Sequence, residues 1–172
     1  DEETRKKVSA LFDDLGRSGL RALGIAWKNE SADCVHAVIS DETELIFAGF
    51  AAFLDPPRAS AERAVKDLSD SGIALKIITG DNEPVTRHLC ETLKIPVLGT
   101  ANGSRLAELD DPSLEALAES VNIFCRVTPA QKKRVIAALR ARGRIVGYMG
   151  DGINDAPSLR ASDVGISVYG AV

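Results

Sequence analysis

Two aspartates four residues apart, Asp151 and Asp155, sit in the run Gly150-Asp151-Gly152-Ile153-Asn154-Asp155-Ala156-Pro157. Carboxylates this close in a dry crevice repel one another unless a cation or a shared proton holds them, and a hard divalent ion such as magnesium is the natural partner. Asn154 between them adds a donor and an acceptor that can orient a phosphate or a metal-bound water. The same letters also fit a plain glycine turn whose Asp155 only caps the helix opening near Pro157. Thr79-Gly80-Asp81-Asn82 offers a hydroxyl and the amides of a glycine turn, which suit a phosphoryl oxygen, yet it is equally a good turn. Lys132 stands early in a helix. An ammonium about 4 Å from a phosphoryl oxygen is worth ~4 kcal/mol per unit charge at an effective dielectric of about 20. Its neighbour Lys133 shows how ordinary a solvated lysine is there. Arg21 and Arg126 are candidates for forked contacts to phosphate oxygens, against ordinary surface pairing. His36 and His88 have no ligand-like partners in sequence.

These groups need a frame. Val8, Leu11, Phe12 and Leu15 form the stripe of an amphipathic helix over about 2–18, with Gly16 and Gly19 as its stop. Strands are expected at Leu20 to Trp27, Cys34 to Ile39 and Glu44 to Phe50, a small helix-and-antiparallel-sheet piece. Asp55-Pro56-Pro57 breaks regular pairing and marks a domain boundary, dividing 1–54 from 55–172. Beyond it helices and strands alternate. A helix over Ala61 to Leu68 precedes a strand over Ile73 to Ile78, and Pro84 opens the next helix. Gly99 to Arg105 reads as a loop, and Leu114, Leu117, Ala118 and Val121 as a helical stripe. Asn122 to Val127 is the next strand. Thr128-Pro129-Ala130-Gln131 is a helix start, with a hydroxyl cap, proline at the first position and a glutamine able to reach back. Strands at Ile145 to Met149 and Val164 to Val168 complete an α/β order with a parallel sheet covered on both faces. In such a sheet ligands sit beyond the carboxyl ends of the strands, and all three polar clusters fall there.

Composition narrows the field. Of 172 residues 45% are hydrophobic and 27% charged, and 21 basic against 25 acidic side chains leave a net charge of −4. Lys and Arg are scattered along helices without a basic stripe, which argues against a nucleic-acid partner. The longest apolar run, Leu45 to Leu54, is ten residues, about half of a bilayer span. No membrane span and no signal peptide are expected in this piece. Cys34, Cys90 and Cys125 lack paired spacing and read as buried thiols, with neither disulfide nor zinc expected.

The order of the clusters is more specific than any one of them. Asp55-Pro56-Pro57-Arg58, Thr79-Gly80-Asp81-Asn82, Thr128-Pro129-Ala130-Gln131-Lys132, Gly150 to Pro157 and Ala161-Ser162-Asp163-Val164-Gly165-Ile166-Ser167-Val168 together resemble the cytoplasmic catalytic region of a P-type ATPase. Phe50 to Arg58 and Phe124 to Pro129 look most like bacterial magnesium-importing members, although calcium and proton pumps share most of these motifs. The resemblance implies a haloacid-dehalogenase-like, Rossmann-like phosphorylation domain from residue 55 onward, preceded by the end of a nucleotide-binding domain. It implies that Thr79 binds the transferring phosphoryl group, Lys132 stabilises its charge, Asp151 holds the catalytic Mg2+, and Asp155 with Asn154 organises the site. It places Asp155 with Asp151 at the metal, and Arg21, Gly80, Asp81 and Arg126 among the nucleotide contacts. The Asp55-Pro56-Pro57 segment would be one strand of a hinge. ATP would be the substrate, on the cytoplasmic face of a bacterial inner membrane, and the transported cation would bind in membrane helices that this chain does not carry.

One departure matters. The family's phosphorylated aspartate lies in Asp-Lys-Thr-Gly-Thr, and neither that sequence nor the Lys-Gly-Ala of the adenine pocket occurs here. The chain is therefore expected to be a fragment that forms no phosphoenzyme by itself. The strand carrying that aspartate would lie between those ending at Thr79 and Asp151, so two edges need cover. The two strands closing on each other, a strand from 34–50 and a second copy all remain open. Two rival readings also remain: a soluble haloacid-dehalogenase-like phosphatase, and a non-catalytic phosphate- or nucleotide-binding module.

Overall fold

The computed structural model describes residues 2–29, 38–151 and 155–167. Most of the strand expected over 34–39 lies outside them, as do Asn154 and Val168. The chain divides into two compact units, Asp1–Pro56 and Pro57–Val172.

In the first unit, α1 (Glu2–Arg17) leads into an antiparallel pair, β1 (Leu20–Trp27) and β2 (Ile46–Leu54). The turn between α1 and β1 needs Gly19, whose φ of 77° is a left-handed value open to glycine at little cost. Leu20 stands opposite Leu54 and Trp27 opposite Ile46, with a register shift between Ile25 and Ala26. The Phe12 ring lies 5.7 Å from that of Phe50, which in turn meets Phe47 edge-on at 5.0 Å. Helix α1 therefore covers the sheet face that carries Phe50. Leu23, Ile25 and Trp27, which alternate with the residues of that face, are exposed. The sequence-based expectation needs correcting here. The second strand begins at Ile46 and runs to Leu54, and Ile39–Asp41 forms a turn of 3-10 helix. Its cause is local: the Asp41 carboxylate accepts the Val38 N–H at 2.8 Å, a side-chain bond that competes with a strand ladder.

The second unit is an α/β fold. In order it holds α2 (Ala61–Asp70), β3 (Ile77–Ile78), α3 (Glu83–Thr92), β4 (Thr100–Asn102), α4 (Gly103–Glu108), α5 (Asp111–Ser120) and β5 (Ile123–Cys125). Then come α6 (Pro129–Ala141), β6 (Gly147–Gly150), α7 (Ala156–Ala161) and β7 (Val164–Ser167). Strands β3, β5 and β4 form a parallel sheet in that order. Central β5 is wholly buried and alternates between two cores. Phe124 packs with Leu106, Leu114 and Val135, while Ile123 and Cys125 pack with Cys90 and Ile95. Burial on both faces is what a parallel strand between helical layers requires.

Three expectations shift. The strand read over 73–78 pairs only at Ile77–Ile78, and the half-buried Lys76 before it turns its ammonium to the carbonyls of Glu119 and Val121 at 3.3 and 2.7 Å, closing the end of α5. The stretch read as a loop around Gly99 to Arg105 contains β4 and the start of α4. Strand β6 begins at Gly147, with Ile145 88% exposed before it.

Strands β6 and β7 form a separate parallel pair. Among the described residues, β3 hydrogen-bonds to β5 alone and β6 to β7 alone, so β3 and β6 do not pair with each other, and β2 pairs with β1. Helix α6 ties the second pair to the rest through Lys132 to Asp155 at 2.7 Å and Arg140 to Asp163 at 2.9 Å. No helix among the described residues is long and apolar enough to cross a membrane.

Candidate functional site

The loop after β3 is fastened to the loop after β5. Thr79 N–H donates to the Phe124 carbonyl at 2.9 Å, Val127 N–H to the Thr79 carbonyl at 3.1 Å, and Arg126 N–H to the Asp81 carbonyl at 2.9 Å. Within the first loop, the Thr79 hydroxyl donates to Asp81 Oδ2 at 3.0 Å and accepts the Asp81 N–H at 3.1 Å. Asn82 caps α3 by accepting the Val85 N–H at 3.0 Å. Nothing lies within 4 Å of where a Gly80 side chain would begin, so the loop's outer edge is open. Thr79, Gly80, Asp81 and Arg126 are thus brought together by these loop contacts.

Arg126 adopts a left-handed φ of 51°, a conformation costing on the order of 1 kcal/mol in a non-glycine residue. Its surroundings impose it. The Arg126 carbonyl oxygen packs directly against the Cα of Gly103, where any β-carbon would overlap it. Gln131 then locks the two: its Nε2 donates to the Gly103 carbonyl at 2.7 Å while its Oε1 accepts the Thr128 N–H at 2.9 Å. The capping box read from Thr128 and Gln131 forms, and its glutamine also grips α4. Sequence reasoning missed Gly103, which no spacing distinguished from a loop glycine.

Four residues past the cap, Lys132 meets Asp155. The ammonium lies 2.7 Å from Asp155 Oδ1, with side-chain exposures of 16% and 11%. Burial pushes the Asp155 carboxyl upward, but the Lys132 ammonium, the Tyr148 hydroxyl and the Asp151 amide outweigh it and hold the group below its ordinary value. Gly150 makes room for this: a β-carbon there would come within 2.6 Å of Asp155 Oδ2. Asp155 stands at the start of α7 without a side-chain capping bond, so the capping role weighed for it is not the one it performs. Asp151 is exposed at the end of β6. Tyr148, also unforeseen, is 8% exposed, and burial followed by the Asp155 carboxylate raises its phenol well above the usual range. Arg21 belongs to the first unit, on β1, with Asp55 3.9 Å away. Asn154 lies outside the described residues.

Among the described residues no three or more His, Cys, Asp and Glu side chains gather as a metal cage. Magnesium does not ask for one. It is held through one or two carboxylates with substrate phosphates and water making up the rest. Asp151 is exposed and Asp155 is held by Lys132, and both offer carboxylate oxygens, the donor type that magnesium takes.

Residues 11–163 match the model of the haloacid dehalogenase-like hydrolases. The whole chain is 43% identical to a stretch of "Magnesium-transporting ATPase, P-type 1" of Salmonella typhimurium and 42% identical to the protein of that name in Escherichia coli K12. Over 97% of its length it is 34% identical to "Calcium-transporting ATPase 1" of Saccharomyces cerevisiae. The chain spans about a fifth of these relatives, 19% of the bacterial proteins and 18% of the yeast one. With a family match over most of its length, and the strand-end loops arranged as described, the chain belongs to the haloacid dehalogenase-like hydrolases and is similar throughout to a segment of P-type cation-transporting ATPases.

Proposed function

We propose that the chain is the phosphorylation region, with the end of the nucleotide-binding region, of an ATP-driven cation-transporting P-type ATPase, and that the cation is Mg2+. The observation that carries this reading is the shielded Lys132–Asp155 pair beside exposed Asp151, in a chain similar along its whole length to magnesium-transporting ATPases. Residues 1–54 would be the nucleotide-binding portion and 55–172 most of the phosphorylation domain. Arg21, Gly80, Asp81, Arg126 and Asn154 would contact nucleotide. Thr79 would offer its hydroxyl to the phosphoryl group by exchanging its bond to Asp81. Lys132 would neutralise phosphoryl charge with the ammonium donors that Asp155 leaves over. Asp151, with Asp155, would hold a magnesium ion, which when bound lowers the charge on the transferring phosphoryl group. The attacking carboxylate would come from an Asp-Lys-Thr-Gly-Thr strand outside this sequence, and phosphorylation would drive ion movement across the bacterial inner membrane.

The test uses membranes from cells expressing the complete reading frame, incubated with γ-labelled ATP and quenched in acid. An acid-stable, hydroxylamine-sensitive label is expected, strongly reduced by Lys132→Met and by Asp151→Asn. Absence of label, or equal label in all three proteins, overturns the reading. Hydrolysis of simple aryl phosphates without a nucleotide requirement would favour a soluble phosphatase of the same family.

A further inference from the structure

Helix α4 is held to α6 at both of its ends. At the far end Arg134 donates from Nη1 to the Leu106 carbonyl at 2.9 Å and from Nη2 to the Leu109 carbonyl at 2.5 Å. At the near end Gln131 Nε2 donates to the carbonyl of buried Gly103 at 2.7 Å. Gly103 is thereby a fixed abutment, and the Arg126 carbonyl oxygen is packed against it. The peptide on the other side of Arg126 is fixed as well, because its N–H donates to the Asp81 carbonyl at 2.9 Å. Between these two anchors Arg126 keeps a left-handed φ of 51°, which a non-glycine residue holds only where its surroundings over-determine it. Its side chain is exposed, directly after β5.

The Gln131 amide does two things that can be separated. Its Oε1 accepts the Thr128 N–H at 2.9 Å and completes the cap of α6, which a glutamate does equally well. Its Nε2 proton goes to Gly103, and a glutamate has none to give. A carboxylate there would set oxygen against oxygen.

We propose that Gln131 is a positioning residue for nucleotide binding: by tying Gly103 to the cap of α6, its Nε2 holds Arg126 in the conformation from which the guanidinium meets nucleotide phosphate. This rests on the reading of Arg126 and Asp81 as nucleotide contacts. The φ of a residue helps to set the direction in which its side chain leaves the backbone. Without the abutment Arg126 relaxes to an ordinary conformation and its guanidinium departs elsewhere. The Asp81 carbonyl, bonded to the Arg126 N–H, loosens with it. Gln131 touches no substrate in this role, so nucleotide affinity depends on it and the chemistry does not.

The tie and its purpose are tested apart. Gln131→Glu keeps the cap and removes the tie, and Gln131→Met removes both without adding charge. In the 172-residue chain, hydrogen exchange of the Arg126 and Val127 amides, followed by NMR, is expected to quicken roughly five- to tenfold in both variants, the equivalent of one lost hydrogen bond. The amides of Ile136 and Leu139, buried on α6, are the internal control and should not change. Unchanged exchange at Arg126 overturns the proposal, and so does an equal rise at Ile136, which would mean general loosening. In membranes carrying the complete protein, the ATP concentration giving half-maximal phosphoenzyme is expected to rise several-fold in either variant, with the maximal label kept. In an Arg126→Ala background the same two changes should add nothing. A rise in Gln131→Glu alone, or a full further rise on top of Arg126→Ala, overturns the proposal, since added charge or a second route would then account for it. The site reading fails separately. If Arg126→Ala leaves the ATP dependence untouched, Arg126 is no nucleotide contact, and the amide exchange still reports the tie itself.

Discussion

A β-carbon at position 103 would overlap the Arg126 carbonyl oxygen and come within 2.8 Å of Gln131 Oε1. Backbone on one side and a doubly bonded side chain on the other leave no soft neighbour to yield. Gly103→Ala should therefore cost about 1–3 kcal/mol, the usual range for overpacking, read as a lowered denaturation midpoint in urea. Gly80→Ala, with nothing within 4 Å, should stay within about 0.5 kcal/mol of the parent. Equal effects at the two glycines would mean that the close approach at Gly103 relaxes freely. The pair also marks how far single residues are legible. Thr79, Lys132 and Asp155 stand out in sequence because a hydroxyl, an ammonium and a carboxylate at strand ends suggest chemistry. Gly103 and Tyr148 do not, because a glycine before a helix reads as a turn and a tyrosine in an apolar strand reads as core. What singles them out is a partner 23 and seven residues away, respectively, which only the fold supplies.

Among the elements, α6 was the most legible, since its cap, first-turn proline and reaching glutamine are all local chemistry. The strands of the second unit were least so. Three of them pair over two or three residues, too short for an alternation to register, and their ends are set by distant groups such as the carbonyls at the end of α5 that bind Lys76. The 3-10 turn at Ile39–Asp41 was hidden for the opposite reason, a single aspartate bond overriding apolar neighbours. Strand pair β6–β7 and helix α7 hang on α6 by two carboxylates, and this makes their attachment sensitive to acid. Asp155 is held below its ordinary 3.8 by Lys132 and its hydroxyl and amide donors against the cost of burial. Asp163 is held down first by the Val146 amide and also by Arg140. A carboxyl whose folded value lies below its unfolded one contributes stability that is complete above the unfolded value and is lost as pH falls through the folded one. Stability should hold between pH 7 and 5 and fall below about pH 4, with amides of β6 and β7 losing hydrogen-exchange protection first. In Asp155→Asn part of that acid slope should vanish. An identical slope in parent and variant would show that Asp155 is not among the groups responsible.

At the scale of the whole chain, burial is distributed unevenly. Every buried hydrophobic residue among those described lies in Pro57–Val172, while in α1 the one buried position is Gly16. Leu23, Ile25, Trp27, Phe47 and Phe53 of the first unit are all more than 40% exposed. A helix on one face of a two-stranded sheet does not remove enough apolar surface from water to offset the entropy of ordering its residues. The second unit has two cores around a fully buried strand. The free energy of local opening should therefore be small over 2–29 and 38–56 and large over most of 57–151. Limited proteolysis tests this, because cleavage under native conditions follows the population of open states when closing is fast. Trypsin should cut first at Arg5, Arg17, Arg21 or Lys28 and leave a resistant product beginning near Arg58. Mass spectrometry of the early digest identifies that product, and an early cut within α5 or α6, or survival of the first unit beyond the second, would contradict the argument from burial.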